Sequence, residues 1–268
     1  MEQLLSIAIK ASLEAGREIL KVYNSDFSFE KKEDNSPLTL ADKNAHNTIS
    51  KYLSETPFPI LSEEGKHAPY NERANWKTLW IVDPLDGTKE FIKRNDEFTV
   101  NIALIENGIP VMGVIYIPVS KTLYFASKEI GAFKIENISS DTRNETLDDF
   151  ITQSERLPIN NTPRPYTVAV SRSHLSKGTK TYLEELKKKY GEVKTISKGS
   201  SLKFCIIAEG LANEYPRNAP TMEWDTAAGH AILNSVGFGI YKIDSNEELN
   251  YNKENLLNPF FFVGRIRS

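Results

Sequence analysis

Trp80-Ile81-Val82-Asp83-Pro84-Leu85-Asp86-Gly87-Thr88 is an apolar run that stops abruptly in two carboxylates, a proline, a glycine and a hydroxyl. Residues 79–82 have the apolar, β-branched and aromatic character of a buried strand, and Pro84 and Gly87 mark a turn directly after it. Asp83 and Asp86 are therefore expected to leave the strand end together. Pro84 carries no N–H for the turn to satisfy, and Gly87 admits backbone angles that other residues resist. The Leu85 carbonyl then stands beside both carboxylates. Such an all-oxygen donor set suits a hard cation, Mg²⁺ before Ca²⁺ or Mn²⁺, which keeps several waters and takes substrate phosphate oxygens as further ligands. Taken alone, D-x-x-D reads more simply as a solvated Asp/Pro/Gly turn, because turn chemistry favours the same residue types.

The remaining acids shift that balance. Ile60-Leu61-Ser62-Glu63-Glu64-Gly65 is a second apolar segment ending in carboxylates before a glycine. Asp225 lies where a small-residue helix starts, in Trp224-Asp225-Thr226-Ala227-Ala228-Gly229, and Asp42 lies near the start of another, in Pro37-Leu38-Thr39-Leu40-Ala41-Asp42. Either aspartate alone would serve as a helix cap.

In that order and at that spacing, the motifs resemble those of the inositol monophosphatase superfamily over nearly the whole chain. They are Asp42 after Thr39, Glu64 in Ser62-Glu63-Glu64, Asp83-Pro84-Leu85-Asp86-Gly87-Thr88, and Trp224-Asp225 with Thr226 to Gly229 following. Within the superfamily the chain looks most like the CysQ-type 3'(2'),5'-bisphosphate nucleotidases. Ser171-Arg172-Ser173-His174, Gly199-Ser200-Ser201-Leu202-Lys203 and the segment from Tyr215-Pro216-Arg217 to Trp224-Asp225 carry that closer likeness.

The resemblance implies an α/β (α+β) fold, a layered αβαβα sandwich of the sugar-phosphatase type. An N-terminal α+β half over residues 1–155 would hold most metal ligands. A C-terminal α/β half over 156–268 would bring Asp225 and the substrate-recognition loops. It further implies a Mg²⁺-dependent, lithium-sensitive phosphomonoesterase of sulfur metabolism that removes the 3'-phosphate of adenosine 3',5'-bisphosphate, giving AMP, and acts on the 5'-phosphosulfate relative. Two or three Mg²⁺ would be held by Glu64, Asp83, the Leu85 carbonyl, Asp86 and Asp225, with Asp42 near the third position. Glu64, Asp86 and Thr88 would be catalytic, Thr88 helping Glu64 to orient and deprotonate the attacking water. Thr88 also follows Gly87 where it would cap a short helix.

Substrate contacts are expected from Gly87, Thr88, His174, Ser200, Ser201, Lys203, Arg217 and Asp225. An arginine at 217 suits a second anionic group better than a polyol, because its fork binds phosphate bidentately. Gly199 to Lys203 joins a strand to a helix, so its N–H groups, hydroxyls and lysine would cradle a phosphate. It lacks the G-x-x-x-x-G-K order of a Walker A loop. His174 is placed to stack on a base or bond a ribose. Inositol monophosphatase or sugar-bisphosphate phosphatase activity is the alternative within enzymes, and a nucleotide-sensing binding protein the alternative outside them.

Composition fits an ordinary globular chain: 268 residues, 40% hydrophobic, 14 Gly and 13 Pro. A formal charge of -3 speaks against nucleic-acid polymers as the main partner. Cys205 is the single cysteine, inside an apolar run, so it reads as a small buried hydrophobe in a reducing compartment. Residues 1–23 show neither a cationic start nor a continuous apolar core, so no signal peptide or spanning helix is expected. A cytoplasmic enzyme follows from this reading, with contact at the cytoplasmic face of the inner membrane and the oligomeric state left open.

Periodicity supplies the element order. Leu4, Ala8, Ala11, Ala15, Ile19 and Val22 recur at helical spacing. A second helix is expected over 40–53, then strands over 98–106, 109–117, 122–127 and 132–135 as an antiparallel sheet, with Asn107-Gly108 as a hairpin turn. Residues 138–165 read as a connection. Strands over 166–171, 193–196 and 213–215 then alternate with helices over 176–189, 201–211 and 226–236.

Overall fold

The computed structural model describes residues 1–25, 37–139, 142, 144–160, 165–172 and 177–265. Two long helices open the chain, α1 (Glu2–Tyr23) and α2 (Pro37–Leu53). A seven-stranded sheet follows: β1 (Ile60–Ser62), β2 (Thr78–Asp86), β3 (Thr99–Glu106), β4 (Ile109–Ile117), β5 (Thr122–Ser127), β6 (Gly131–Ile135) and β7 (Glu155–Arg156), in that spatial order. All neighbours are antiparallel except β1 and β2, which run parallel. Short helices α3 (Tyr70–Arg73), α4 (Thr88–Ile92) and α5 (Leu147–Thr152) sit in the connections. The expected 138–165 connection thus contains α5 and β7. Thr146 starts α5 with a reciprocal capping box to Asp149, a local signal that hydrophobic periodicity does not register.

The second half contributes β8 (Tyr166–Ser171), α6 (Lys177–Tyr190), β9 (Val193–Lys198), α7 (Leu202–Ala208), β10 (Tyr215–Arg217), α8 (Glu223–Asn234), β11 (Gly239–Lys242) and β12 (Phe261–Gly264). β8 pairs in parallel with β9, while β12 lies antiparallel between β10 and β11. A bridge from Val168 to Glu214 brings the two groups side by side.

Strand alternation explains the layering, since successive side chains point to opposite faces. Trp80, Val82, Val100, Ile102, Leu104, Val114 and Phe125 face one core with α1 and α2. Leu79, Ile81, Ala103, Ile105, Ile115 and Tyr124 face another with α7, α8 and the apolar side of β10 to β12. Val168 and Val170 turn outward onto Leu186 of α6. The order is helix, sheet, helix, sheet, helix, as expected. The two halves share the second core, and α8 sits close on the large sheet because Gly113 leaves no Cβ where the Ala228 carbonyl lies; a Cβ there would stand 2.3 Å from it.

Candidate active site

The parallel β1 and β2 carry their acids out at the same end. Ser62 is in register with Val82, and Glu63 N–H donates to Val82 O at 3.1 Å, so Glu63 and Asp83 leave neighbouring strands together. The strand does not stop at Val82 as expected. It runs on to Asp86, with a register shift against β3 between Asp83 and Asp86 that absorbs Pro84 and Leu85. Leu85 N–H donates to Asp83 Oδ1 at 3.1 Å, fixing that carboxylate at 1% exposure.

Carboxylate oxygens of Glu63, Asp83 and Asp225 lie within 4.8 Å of one another. This cluster differs by one residue from the set expected from the sequence. Glu63 joins the cluster, whereas Glu64 is not among its members, and its charge bears on Asp42 and on Glu63. The difference arises because two adjacent glutamates give the same residue pattern, and only their placement after β1 tells them apart. Asp42 is the sixth residue of α2, beyond any capping position, and Asp225 is the third of α8. Asp225 Oδ2 accepts Met222 N–H at 2.8 Å while its carboxylate remains in the cluster.

Charge crowding is legible in the acidities. Burial pushes Asp83 well above the ordinary carboxylate range, with the Asp86, Glu63, Asp225 and Asp42 charges adding to it. Asp225 rises to about 7 through burial and Asp86, held back by the Met222 N–H. Asp42 rises to about 8 through burial and the Glu64 and Glu63 charges. Glu63 is exposed as a residue, yet partial desolvation of its carboxyl raises it as well, with Asp86 and Glu64 contributing. Carboxylates crowded in this way ionise together most readily around a cation. The all-oxygen donors and their spacing fit a hard divalent ion.

Asp86 ties the halves together. Its Oδ2 accepts Ser200 Oγ at 2.6 Å and Ser201 Oγ at 2.7 Å, and Asn101 Nδ2 donates to Ser201 Oγ at 2.8 Å. Both serine hydroxyls expected to cradle a phosphate are thus turned onto Asp86. Lys203, 6% exposed, donates through Nζ to the Ser200 and Lys198 carbonyls. It braces the 199–203 loop while still lining the neighbouring cleft. Thr88 is exposed and is the first residue of α4; Gly87 precedes the helix, with φ 101°, and makes no side-chain cap. His174 lies outside the described residues.

A cleft with about 150 Å³ of water-sized space opens beside these acids. Asp86 and Asp225 line it together with Arg172, Lys198, Lys203 and Arg217. Arg172 and Lys198 escaped the sequence reading as separate ligands. Their organiser is Glu97, 9% exposed, which accepts Arg172 Nη2 at 2.8 Å, Lys198 Nζ at 3.2 Å and the Gly199 N–H at 2.7 Å. No sequence periodicity announces a contact between residues this far apart. Arg217 donates to Ser171 Oγ at 2.7 Å and to Pro220 O at 3.3 Å, while its buried Nε has no hydrogen-bond partner among the described residues. An orphaned guanidinium donor beside an anionic cluster and a cationic rim suits a ligand that is itself anionic and metal-associated.

Comparison with known proteins agrees with this arrangement. Residues 1–259 match the Inositol monophosphatase family, so the chain belongs to that family of metal-dependent phosphatases. Among its relatives, the 3'(2'),5'-bisphosphate nucleotidase CysQ of Salmonella typhimurium is 44% identical over 268 residues, covering 98% of each chain. The protein of the same name from Escherichia coli K12 is 44% identical over 93% of this chain and 94% of its own. The crystal structure of CysQ from Bacteroides thetaiotaomicron superposes with a TM-score of 0.95 at 54% identity, over 100% of this chain and 99% of that one. No described helix is long and apolar enough to cross a membrane.

Proposed function

We propose that the chain is a Mg²⁺-dependent 3'(2'),5'-bisphosphate nucleotidase that hydrolyses the 3'-phosphate of adenosine 3',5'-bisphosphate to AMP and phosphate, and acts also on the 5'-phosphosulfate relative. The observation that carries this reading is a carboxylate cluster that meets, at Asp225, a cleft with a separate cationic rim. A monophosphate needs only the first. A ligand with two phosphates engages both, and its retained phosphate would meet Arg172, Lys198 and Arg217.

Glu63, Asp83, Asp225, Asp86 and the Leu85 carbonyl would hold Mg²⁺, with Asp42 and Glu64 at an outer position. Bound there, the metal supplies positive charge against the transferring phosphoryl group and acidifies water. The chain's own part is placement. Phosphoryl transfer needs an in-line nucleophile and charge neutralisation more than covalent help. Thr88, exposed at the start of α4, would orient the attacking water, and a neighbouring ionised carboxylate would take its proton. Ser200 and Ser201 both donate to Asp86 Oδ2, so this carboxylate does not turn freely. Lithium sensitivity and a place in sulfur metabolism belong to the same reading, as does a cytoplasmic setting.

Phosphate release from a substrate panel with and without EDTA tests it. Adenosine 3',5'-bisphosphate should exceed inositol 1-phosphate and fructose 1,6-bisphosphate in kcat/KM by at least about tenfold, roughly 1.4 kcal/mol in transition-state binding. Equal efficiency on inositol 1-phosphate would move the assignment to that activity. Binding of the bisphosphate without turnover would make the chain a sensor.

A further inference from the structure

On α8, one turn and more beyond Asp225, a buried histidine has no part in the chemistry above. His230 is 0% exposed. Its Nε2 lies 2.8 Å from Glu248 Oε1 and its Nδ1 3.0 Å from Tyr251 Oη. Tyr251 Oη in turn lies 3.2 Å from Thr226 Oγ1. Asn258 Nδ2 donates to the same Thr226 oxygen at 3.1 Å, to Thr221 Oγ1 at 3.3 Å and to Met222 O at 2.7 Å. Thr221 and Thr226 line the cleft, and Met222 N–H holds Asp225. A continuous hydrogen-bonded line therefore runs from Glu248, whose side chain is 48% exposed, through the helix to the wall of the active site.

The line has a direction. A carboxylate accepts only, so at 2.8 Å the Nε2–H of His230 points to Glu248, a contact shorter than the 3.4 Å approach of Ile240 N–H to the same nitrogen; Asn234 also donates to Glu248 at 3.1 Å in the amide orientation that satisfies both of its ends. Burial holds His230 below the ordinary histidine range, against the opposing pull of Glu248. Neutral and protonated at Nε2, it accepts the single phenol proton of Tyr251 at Nδ1. Thr226 then continues the line by donating its own hydroxyl proton to Tyr251 Oη, in competition with the Glu223 carbonyl 3.2 Å away. Apolar side chains of equal volume would stabilise this region as well as a buried polar line does. What the polar line adds is a fixed orientation for groups at its inner end.

We propose that Glu248, His230 and Tyr251 are positioning residues for phosphate-ester hydrolysis. Through Thr226 and Asn258 they fix the first turn of α8, and so the aim of Asp225 and of the Thr221 and Thr226 wall at the reacting phosphate. The proposal rests on the phosphatase reading. A native chain that releases no phosphate from any ester defeats that reading, whereas the comparison of variants defeats this one alone, because Mg²⁺ affinity is read independently of turnover.

Tyr251→Phe removes one oxygen from the middle of the line at nearly constant volume, and Glu248→Gln removes the charge from its outer end. Assays run at least about 15 °C below the Tm of each variant separate positioning from loss of fold. Tyr251→Phe is expected to lower kcat about five- to twentyfold with KM changed less than about twofold, and to weaken Mg²⁺ binding in calorimetry about three- to tenfold. Glu248→Gln should do the same to a smaller extent. Because both interrupt one line, the double variant should be no worse than about twice the poorer single. Full kcat and Mg²⁺ affinity in folded Tyr251→Phe, or losses that multiply in the double variant, would overturn the proposal.

Discussion

Glu97 Oε1 accepts the Arg172 guanidinium at 2.8 Å, joining the end of the α4 connection to the loop after β8. The pair is not a device for stability. Arg172 is 44% exposed, and such ion pairs contribute about 0 to 1 kcal/mol. Its effect is to hold Arg172 and, through the same carboxylate, Lys198 at the cleft rim before any ligand arrives, which lowers the ordering cost of binding.

Arg172→Ala should therefore lower kcat/KM for adenosine 3',5'-bisphosphate about tenfold and leave adenosine 3'-monophosphate within about twofold. A charge-assisted contact to a retained phosphate is worth about 1.5 to 3 kcal/mol and is absent from the monophosphate. Arg217→Ala should show the same selectivity, because its guanidinium lines the same cleft. Steady-state kinetics on the two substrates decides, and parallel losses on both would place these residues in the scaffold or at the reacting phosphate.

Adjacent glutamates give a sharper contrast. Glu63→Gln removes a carboxylate from the cluster with Asp83 and Asp225, so kcat should fall by at least about a hundredfold with unchanged circular dichroism. Glu64→Gln should cost clearly less, since its charge bears on Asp42. Should Glu64→Gln prove the more damaging, the inner position would belong to Glu64.

The acidities set a pH dependence whose sign is fixed. Asp42 at about 8 and Asp225 at about 7 lie above the unfolded carboxylate value near 4, so the metal-free folded chain binds these protons more tightly than the unfolded one. That stabilisation is fully present below about pH 4 and is lost as pH rises through 7 to 8. Mg²⁺ competes with the same protons, so its stabilising effect grows over the same window. In EDTA the Tm should fall between pH 5.5 and 8.5, and the increment produced by Mg²⁺ should be larger at the higher pH. An increment that shrinks with pH would show that these carboxylates are not where the metal binds.

How far the sequence led can be followed residue by residue. The β4 and β5 bounds are legible because turns bracket them and both faces are buried, giving continuous apolar runs. β11 and β12 were not legible: each is four residues long, too short for alternation to show, and they exist because β12 pairs with both β10 and β11. Likewise Asp83 and Asp225 declare themselves through local motifs. Glu97 does not, because what makes it matter is a long-range contact to Gly199 and two cations. That Glu63 rather than Glu64 lies beside Asp83 depends on strand register, which a one-dimensional pattern leaves undetermined.

Gly87 offers the last test, at the junction of β2 and α4. Its φ of 101° lies where L side chains are strained, and a Cβ added there would stand 3.2 Å from both Glu97 O and Phe98 Cα. Both neighbours are backbone atoms in the segment that leads into β3, so neither yields without moving the strand that pairs with Asp86. Gly87→Ala is expected to destabilise the fold by about 1 to 3 kcal/mol in urea denaturation, through left-handed strain and the close approach together. Because Gly87 also lines the cleft, turnover of the folded fraction should drop as Asp86 and Thr88 on either side shift. A cost below about 0.5 kcal/mol with native turnover would mean that this turn relaxes freely, and that the metal-bearing end of β2 is not held by Gly87.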